Sequence, residues 1–387
     1  MKILFIIESL ARGGTERGLV NLLPVFRARG LECEVAVLWP PYTLAPELEK
    51  NGILVHRLDM THRWSVIKNT FKIAKILHSE SFDLVHARLF FASLYTALSR
   101  PLRPSIYRVT SFHNLGYASY PANTLWKKFR KQIHSLLTRY WIDGHVAVST
   151  ATAQHYSTHL KLPHVEVIHN GFPVDDILQP VPKLDRQKVL ARYGIISDEF
   201  VAIVPGRLIF EKAHRILLQS LTILRKKKLF PRVLIFGDGP LQNELRQTLV
   251  AEQLLGQVVL HGAIPHKELM RVVQAADIFV MASIFEGFPH APGEAMALAK
   301  PVIATRVGGL TDLIEDGVSG LLVPPGDAGS LADRIAQLMA DPALRERLGQ
   351  GGRQRIETCF SVDAIAERYV RYYETLLTNK KNRHYRK

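Results

Sequence analysis

Short runs of β-branched and other apolar residues alternate with longer amphipathic stretches along the whole chain of 387 residues. In the first half the runs that read as strands are Ile3–Ile7, Cys33–Leu38, Ile53–Arg57, Leu84–Ala87, Ser105–Thr110, His145–Val148 and Val165–Ile168. In the second half they are Phe200–Val204, Arg232–Phe236, Val258–Leu260, Ile278–Met281, Val302–Ala304 and Leu321–Val323. Strands that are apolar throughout, separated by helical stretches, predict parallel sheets covered on both faces. Two such series predict two sheets and an α/β fold in two domains. The stretch Asn170–Asp185 breaks the alternation with Gly171, Pro173, Pro180 and Pro182 and reads as the join. The expected units are residues 1–180 and 181–362. A helix at 363–378 follows, with Ile365, Tyr369, Tyr372 and Leu376 at helical spacing, and is expected to pack back on the N-terminal domain; 379–387 form a basic tail. Pro24 lies inside the helix expected after Gly14 and predicts a kink near Val20, whose carbonyl its ring would crowd.

Composition narrows the class. Hydrophobic residues make up 47% and charged residues 22%, which is a globular composition and not a disordered one. Cys33 and Cys359 lie far apart and outside any CxxC pattern, so neither a disulfide framework nor a cysteine zinc site is expected, and a reducing compartment fits best. The apolar run after Lys2 is interrupted by Glu8, too soon for a signal-peptide core, and no 18 apolar residues run together. The expected location is cytoplasmic, or peripheral on the inner face of a membrane.

The net charge is +15. Residues 1–180 hold 21 Lys and Arg against 13 Asp and Glu, and residues 181–387 hold 29 against 22, with five of the surplus cations in the last eight residues. Such an excess favours an anionic partner: nucleic acid, anionic lipid or a phosphorylated substrate. A solubilising surplus accounts for the same numbers. None of the recognised nucleic-acid-binding modules occurs, so nucleic acid is not the expected partner.

Four segments carry candidate chemistry, each at the expected carboxyl end of a strand, where open α/β sheets bind ligands. Gly13-Gly14-Thr15-Glu16 opens a helix; its glycines let a backbone approach a charged ligand, and the helix end supplies amides and a positive dipole. A tight strand-to-helix turn needs the same glycines. Gly206-Arg207-Leu208-Ile209-Phe210-Glu211-Lys212 offers the planar fork of Arg207 and the mobile charge of Lys212, two cations able to neutralise a diphosphate. Gly237-Asp238-Gly239-Pro240 suits a sharp turn served by the Asp238 side chain. In Glu286-Gly287-Phe288-Pro289-His290-Ala291-Pro292-Gly293-Glu294, two carboxylates flank a Gly/Pro-rich turn, and the second falls at the expected start of a helix whose dipole keeps it ionised. An ionised carboxylate can grip a ribose diol through Glu294 and sugar hydroxyls through Glu286, while the amides of Phe288 and His290 face phosphate oxygens. Capping of the helix is the plainer role for Glu294.

Taken together, the GRL…EK segment, GDGP, EGFPHAPGE followed by AMALAKPVIAT, VGGLTDLI and DGVSGLLVPPGD stand in the order of a known family. The chain resembles the family-four retaining glycosyltransferases of the GT-B fold (glycosyl transferases group 1), with GGTE, DLVHA and VIHNG matching more loosely in the first half. The resemblance implies two Rossmann-like domains with parallel sheets facing across a cleft. It implies that Arg207 and Lys212, on the Gly206 turn, bind the donor diphosphate. Glu294 would hold the ribose, with Glu286, Phe288, Pro289 and His290 beside the sugar and phosphates. The turn Gly262–Ile264 would flank the base. Gly13 and Gly14 would meet the phosphate from the other domain, and His113 falls where the family often carries a histidine near the donor sugar. His113, Arg207, Lys212 and Glu286 are thus the expected catalytic residues. Three departures bear on donor-sugar identity: Ala213 where the family usually has Gly, Pro289-His290 in place of a common Gly-Leu pair, and Asp312 where Glu is frequent.

The expected reaction is retaining transfer of a hexose or N-acetylhexosamine from a UDP- or GDP-linked sugar, without a cofactor. No Asp-x-Asp occurs in the chain, so the cations are expected to do a metal's electrostatic work. The expected acceptor is a lipid-linked or other saccharide precursor of a surface polysaccharide or lipopolysaccharide. An anionic membrane is a further expected partner, through Trp126, Lys127, Lys128, Arg130 and Lys131 on a basic helix with aromatics. A core-packing helix with a solvated basic face fits the same residues. A nucleotide-sugar epimerase and a transferase to a soluble small acceptor are the alternatives. A dinucleotide-dependent oxidoreductase is disfavoured, because no GxGxxG with a downstream ribose-binding acid opens either half.

Overall fold

The computed structural model describes residues 1–117, 125–178, 185–196 and 198–384, without the side chains of 125–127 and 379–384. The chain divides into two compact units, Met1–Gly171 together with Val362–Lys387, and Phe172–Ser361.

The first unit alternates β1 (Lys2–Ile7), α1 (Gly14–Ala28), β2 (Glu32–Val37), α2 (Ala45–Lys50), β3 (Leu54–Arg57), α3 (Val66–Ser79), β4 (Leu84–Arg88), α4 (Phe90–Leu98), β5 (Tyr107–Phe112), α5 (Leu125–Trp141), β6 (Gly144–Ala147), α6 (Thr150–Leu160) and β7 (Glu166–Val167). Its strands pair in parallel in the order β3-β2-β1-β4-β5-β6-β7. The strand β1 shows why both faces must be covered. Ile3, Phe5 and Ile7 enter one core with α1 and α2, and Leu4 and Ile6 enter a second core with α3 and α4. Pro24 sits inside α1, which runs unbroken from Gly14 to Ala28 as one assigned helix.

The second unit contains α7 (Val174–Leu178), α8 (Arg186–Ala191), β8 (Val201–Pro205), α9 (His214–Lys226), β9 (Arg232–Phe236), α10 (Gln242–Ala251), β10 (Val258–His261), α11 (His266–Ala275), β11 (Ile278–Met281), α12 (His290–Ala297), β12 (Val302–Thr305), α13 (Leu310–Leu313), β13 (Leu321–Val323), α14 (Ala328–Ala340) and α15 (Pro342–Arg355). Its parallel sheet runs β10-β9-β8-β11-β12-β13. The join expected at Asn170–Asp185 is partly helical, since α7 forms within it; Pro180 and Pro182 lie outside the described residues.

The last helix, α16 (Val362–His384), returns to the first unit. Tyr369 and Tyr373 pack edge-on against Phe26 of α1 at 6.1 and 6.2 Å, and the Tyr373 hydroxyl meets His86 Nδ1 on β4 at 2.6 Å. Burial of these rings anchors a helix that is distant in sequence, because each aromatic brings a large apolar surface. The same burial drives the His86 imidazole well below its ordinary range, with Arg88 acting in the same direction.

Candidate functional site

Both sheets place their first strand beside their fourth, so consecutive strands run outward from that seam in opposite directions. Such a reversal opens a crevice at the carboxyl ends of the two strands, and open α/β sheets bind ligands there. In the second unit the seam lies between β8 and β11. The loops that follow these strands hold most of the residues singled out from the sequence.

After β8 the chain turns at Gly206, whose amide donates to the Phe236 carbonyl at 2.9 Å. Leu208 is fully buried and plugs the turn, while Arg207 beside it is exposed. The turn is pressed against the one after β9. A Cβ on Gly237 would lie 2.0 Å from the Gly206 carbonyl oxygen, and one on Gly239 would lie 2.3 Å from that of Leu208. Gly237 also has φ 145°, so glycine is required twice over. Phe210–Lys212 then form a single 3₁₀ turn that ends on Ala213 in the left-handed region, φ 47° and ψ 41°.

That turn carries Lys212 across the seam. Its Nζ donates to Glu286 Oε1 at 2.6 Å, and Ser283 Oγ donates to the same oxygen at 2.7 Å. Both partners of the ion pair are largely buried, at 19% and 11% side-chain exposure, so water screens it little. The Ile284 amide donates to the Glu211 carbonyl at 2.9 Å and ties the two loops a second time. The structure thus joins two side chains for which separate tasks are expected.

The loop bearing Glu286 is held by residues that sequence reasoning did not single out. Thr305 Oγ1, at the end of β12, donates to the Ser283 carbonyl, and the Gly309 amide donates to that of Gly287 at 2.8 Å. Gly308 has φ 51°, and a Cβ on it would lie 1.7 Å from the Glu286 carbonyl oxygen. The VGG element had marked a resemblance only; here its glycines let two backbones meet under Glu286.

The second carboxylate sits differently from the expectation. Helix α12 begins at His290, with Pro289 as its N-cap, so Glu294 lies beyond the first turn and not at the helix start. The reason is that Pro292 falls in the first turn, where a missing N–H costs nothing. With prolines at two of the four positions whose amides have no partner inside the helix, His290 and Ala291 supply the helix-end donors. The helix dipole is therefore a weak hold on Glu294. Its Oε1 instead meets His266 Nε2, at the start of α11, at 2.9 Å. Phe288 contributes backbone and not side chain to this loop, for its ring is buried beside Phe172 and Phe360 at 6.3 and 5.7 Å. The His290 ring meets Phe172 edge-on at 5.6 Å.

Asp238 is a correction of another kind. Its side chain serves the neighbouring turn and not its own: Oδ2 accepts from the Ala263 amide at 3.2 Å. It thereby fixes the Gly262–Ile264 turn that follows β10, a contact invisible in sequence because the two residues are 25 positions apart. His214, at the start of α9, is buried; burial foremost, then the charge of Lys212, pushes its imidazole down to about 4.

Gly13, Gly14 and His113 belong to the first unit and stand at the carboxyl ends of its strands. Gly13 is the N-cap of α1, and the Glu16 carboxylate folds back over it; a Cβ there would lie 2.3 Å from Glu16 Oε2. His113 Nε2 meets Ser111 Oγ at 2.9 Å. Beneath the α1 start, buried Arg88 reaches the Thr15 carbonyl at 3.4 Å, and Glu8 Oε1 accepts from the Phe91 amide at 2.9 Å. Burial raises the carboxyl groups of both Glu8 and Glu16 above the usual range.

The basic helix expected to meet a membrane is α5. Lys128 and Arg139 are exposed on it, but Arg130 lies over the Phe90 ring at 5.2 Å and Lys131 over the Tyr117 ring at 5.6 Å, both half-buried. The side chains of Trp126 and Lys127 lie outside the described residues. Among the described residues no helix is long and apolar enough to cross a membrane.

A sheet seam bearing an exposed arginine, a lysine–carboxylate pair and helix-end amides marks an α/β protein with a candidate site whose chemistry suits an anionic, hydroxyl-rich ligand. The comparisons agree on the class. A family model described as Glycosyl transferases group 1 matches residues 185–355, and one described as Glycosyltransferase Family 4 matches residues 12–176. The chain belongs to this glycosyltransferase family, and its two-sheet α/β architecture is the GT-B fold. The capsular polysaccharide biosynthesis glycosyltransferase CapM of Staphylococcus aureus is 32% identical over 50% of this chain and 51% of its own length, so the match spans about half of that relative. The alpha-D-kanosaminyltransferase of Streptomyces kanamyceticus is 24% identical over 69% of this chain and 70% of its own. Among solved structures, Anabaena HepE in complex with UDP superposes with a TM-score of 0.81 at 23% identity, covering 97% of this chain and all of that one.

Proposed function

We propose that this chain moves a hexose or N-acetylhexosamine from a nucleotide-diphosphate sugar to a saccharide acceptor, with retention at the anomeric carbon. The observation that carries the reading is the Lys212–Glu286 pair across the β8–β11 seam, beside exposed Arg207. Departure of a nucleoside diphosphate develops negative charge on its β-phosphate. Arg207, Lys212 and the His290 and Ala291 amides are fixed donors for charge that appears at that place, the arrangement that contributes most to catalysis. These cations do the electrostatic work that a metal does elsewhere. Both hydrogen bonds to Glu286 end on Oε1, which leaves Oε2 for hydroxyls of the transferred sugar. Glu294, oriented by His266, takes the ribose hydroxyls, and the Gly262–Ile264 turn flanks the base.

UDP is the favoured carrier, because the structure of HepE that shares the fold is a UDP complex. The favoured acceptor is a lipid-linked or polysaccharide precursor, in keeping with what the name of CapM says of that relative. The test is a thermal-shift series with UDP, GDP and their sugars on wild type and Glu294→Gln. A ligand at 100 times its Kd stabilises the folded state by about 2.7 kcal/mol, so a clear rise in Tm with one nucleotide is expected. The rise shrinks in the variant, which keeps the shape but not the charge of the ribose grip. No shift with any nucleotide removes the reading, and an equal shift in the variant removes the role of Glu294.

A further inference from the structure

The stretch expected to join the units holds a side chain that no linker needs. Phe172 is fully buried, and it is the first residue of the second unit. Its backbone is fixed to the far end of that unit. The Phe172 amide donates to the Phe360 carbonyl at 2.8 Å, and Phe172 pairs in parallel with Ser361, the last residue of the unit. The ring lies against the loop and helix that carry the two carboxylates. It meets the Phe288 ring at 6.3 Å and the His290 ring edge-on at 5.6 Å, and Phe360 meets Phe288 in turn at 5.7 Å.

The closest approach is to Gly293. A Cβ there would lie 2.1 Å from Phe172 Cζ, so the tip of the ring fills the room that a side chain at 293 would take. Gly293 lies inside α12, next to Glu294. Among the residues, only proline is worse than glycine in a helix interior, and α12 has eight residues, one of them Pro292. Propensity therefore does not hold this short helix in place; packing does. The ring does not swing aside cheaply, because Phe172 has no exposed surface and a close-packed interior has no void to receive it.

We infer that Phe172 is a positioning residue for the donor: its ring, lodged in the space of the missing Gly293 side chain, sets where α12 stands. The His290 and Ala291 amides and the Glu294 carboxylate are placed with the helix. The inference rests on the donor reading proposed above and adds to it a residue that acts through α12. A merely structural Phe172 stabilises the second unit, and changing it lowers Tm without altering what the folded protein binds. A positioning Phe172 makes donor affinity depend on the combined volume at 172 and 293. A change at one position is then undone by the opposite change at the other.

The experiment measures binding of UDP and 2′-deoxy-UDP to the full chain by isothermal titration calorimetry, with GDP and its deoxy form in their place where wild type prefers GDP. Circular dichroism and Tm check the fold of each variant. Gly293→Ala presses a methyl group on the ring tip and should weaken UDP about tenfold, the value of roughly one hydrogen bond to a charged group. It should also erase most of the preference for UDP over the deoxy form, because that preference reports the ribose grip. Phe172→Leu removes the three tip atoms, leaves a void under α12 and should weaken UDP about fivefold. Together the two substitutions exchange volume, and UDP affinity should return to within about twofold of wild type. If Gly293→Ala does not fold, Phe172→Leu with and without Gly293→Ala still decides, since the added methyl must then tighten binding. Single variants with a lower Tm but wild-type affinity and ribose preference overturn the inference. So does a double variant that binds UDP no better than Phe172→Leu. Absence of nucleotide binding by wild type instead removes the donor reading, and the inference falls with it.

Discussion

The two units repeat one topology and reverse its charges. In each sheet the loop after the first strand meets the loop after the fourth. In the second unit the first-strand loop sends a cation, Lys212, to a carboxylate on the fourth-strand loop, Glu286. In the first unit the carboxylates, Glu8 and Glu16, come from the first-strand side, and the cation, Arg88, ends the fourth strand. The degree of commitment differs as well. Lys212 and Glu286 form a short ion pair in the same loops as an exposed arginine. Arg88 is buried and makes one long contact to a carbonyl, and its charge does not offset the desolvation of Glu16, whose carboxyl stays raised. Topology decides where a crevice forms, and the side chains on the two loops decide what it attracts.

The comparison is broken most directly at Lys212. Lys212→Met keeps the length of the stem that packs over Gly206 but removes the charge. Transfer should fall by roughly 10²–10³-fold, as when one preorganised donor to a developing charge is lost. A neutral Lys212→Met protein that turns over at the wild-type rate would show that the seam of the second unit does not supply the charge the reaction needs. Circular dichroism must show the fold retained, since Glu286 is left buried without its partner.

A smaller effect sharpens the first unit. The Glu16 carboxyl is raised, so the folded state holds its proton more tightly than the unfolded chain does. The unfolded state therefore binds fewer protons between the ordinary value, 4.5, and the raised one, and stability falls as pH rises through that window. Below the window the group costs nothing; above it the cost is complete. Glu16→Gln removes it, and Tm should rise at neutral pH while remaining unchanged near pH 4. A variant that is destabilised equally at both values would mean that the carboxylate is needed in its ionised form, and that the contrast between the two seams is wrong.

Much of this was legible in the sequence. The seven strands of the first unit and the six of the second fall on the expected runs, mostly within one or two residues, because a strand buried on both faces writes itself as an unbroken apolar segment. Arg207, Lys212 and Glu286 were legible because their loops carry glycines next to charges. What held those loops was not. Ser283, Thr305 and Gly308 act on Glu286 from other strands, Asp238 acts across 25 residues, and His266 meets Glu294 from 28 residues away. No local pattern records contacts of that range. The start of α12 lies earlier than the pattern suggests, because prolines that signal a turn are also accepted in the first turn of a helix.

The smallest effect tests how finely Lys212 is placed. Ala213 follows it in a left-handed conformation, where a Cβ costs about 1–2 kcal/mol. Glycine removes that strain but gives the unfolded chain more freedom, worth about 0.4–1 kcal/mol in the opposite direction. Ala213→Gly should therefore stabilise only slightly, by about 0.5 kcal/mol, readable as a small rise in Tm. Its effect on turnover carries the information. The 3₁₀ turn, the Ile284–Glu211 hydrogen bond and the Ser283 contact fix Lys212 and Glu286 without help from the alanine side chain. Transfer should therefore match wild type. A fall of tenfold or more with the Tm unchanged would mean that the strained alanine stiffens the turn. The second seam would then owe its charge placement to backbone rigidity at residue 213 as much as to the pair itself.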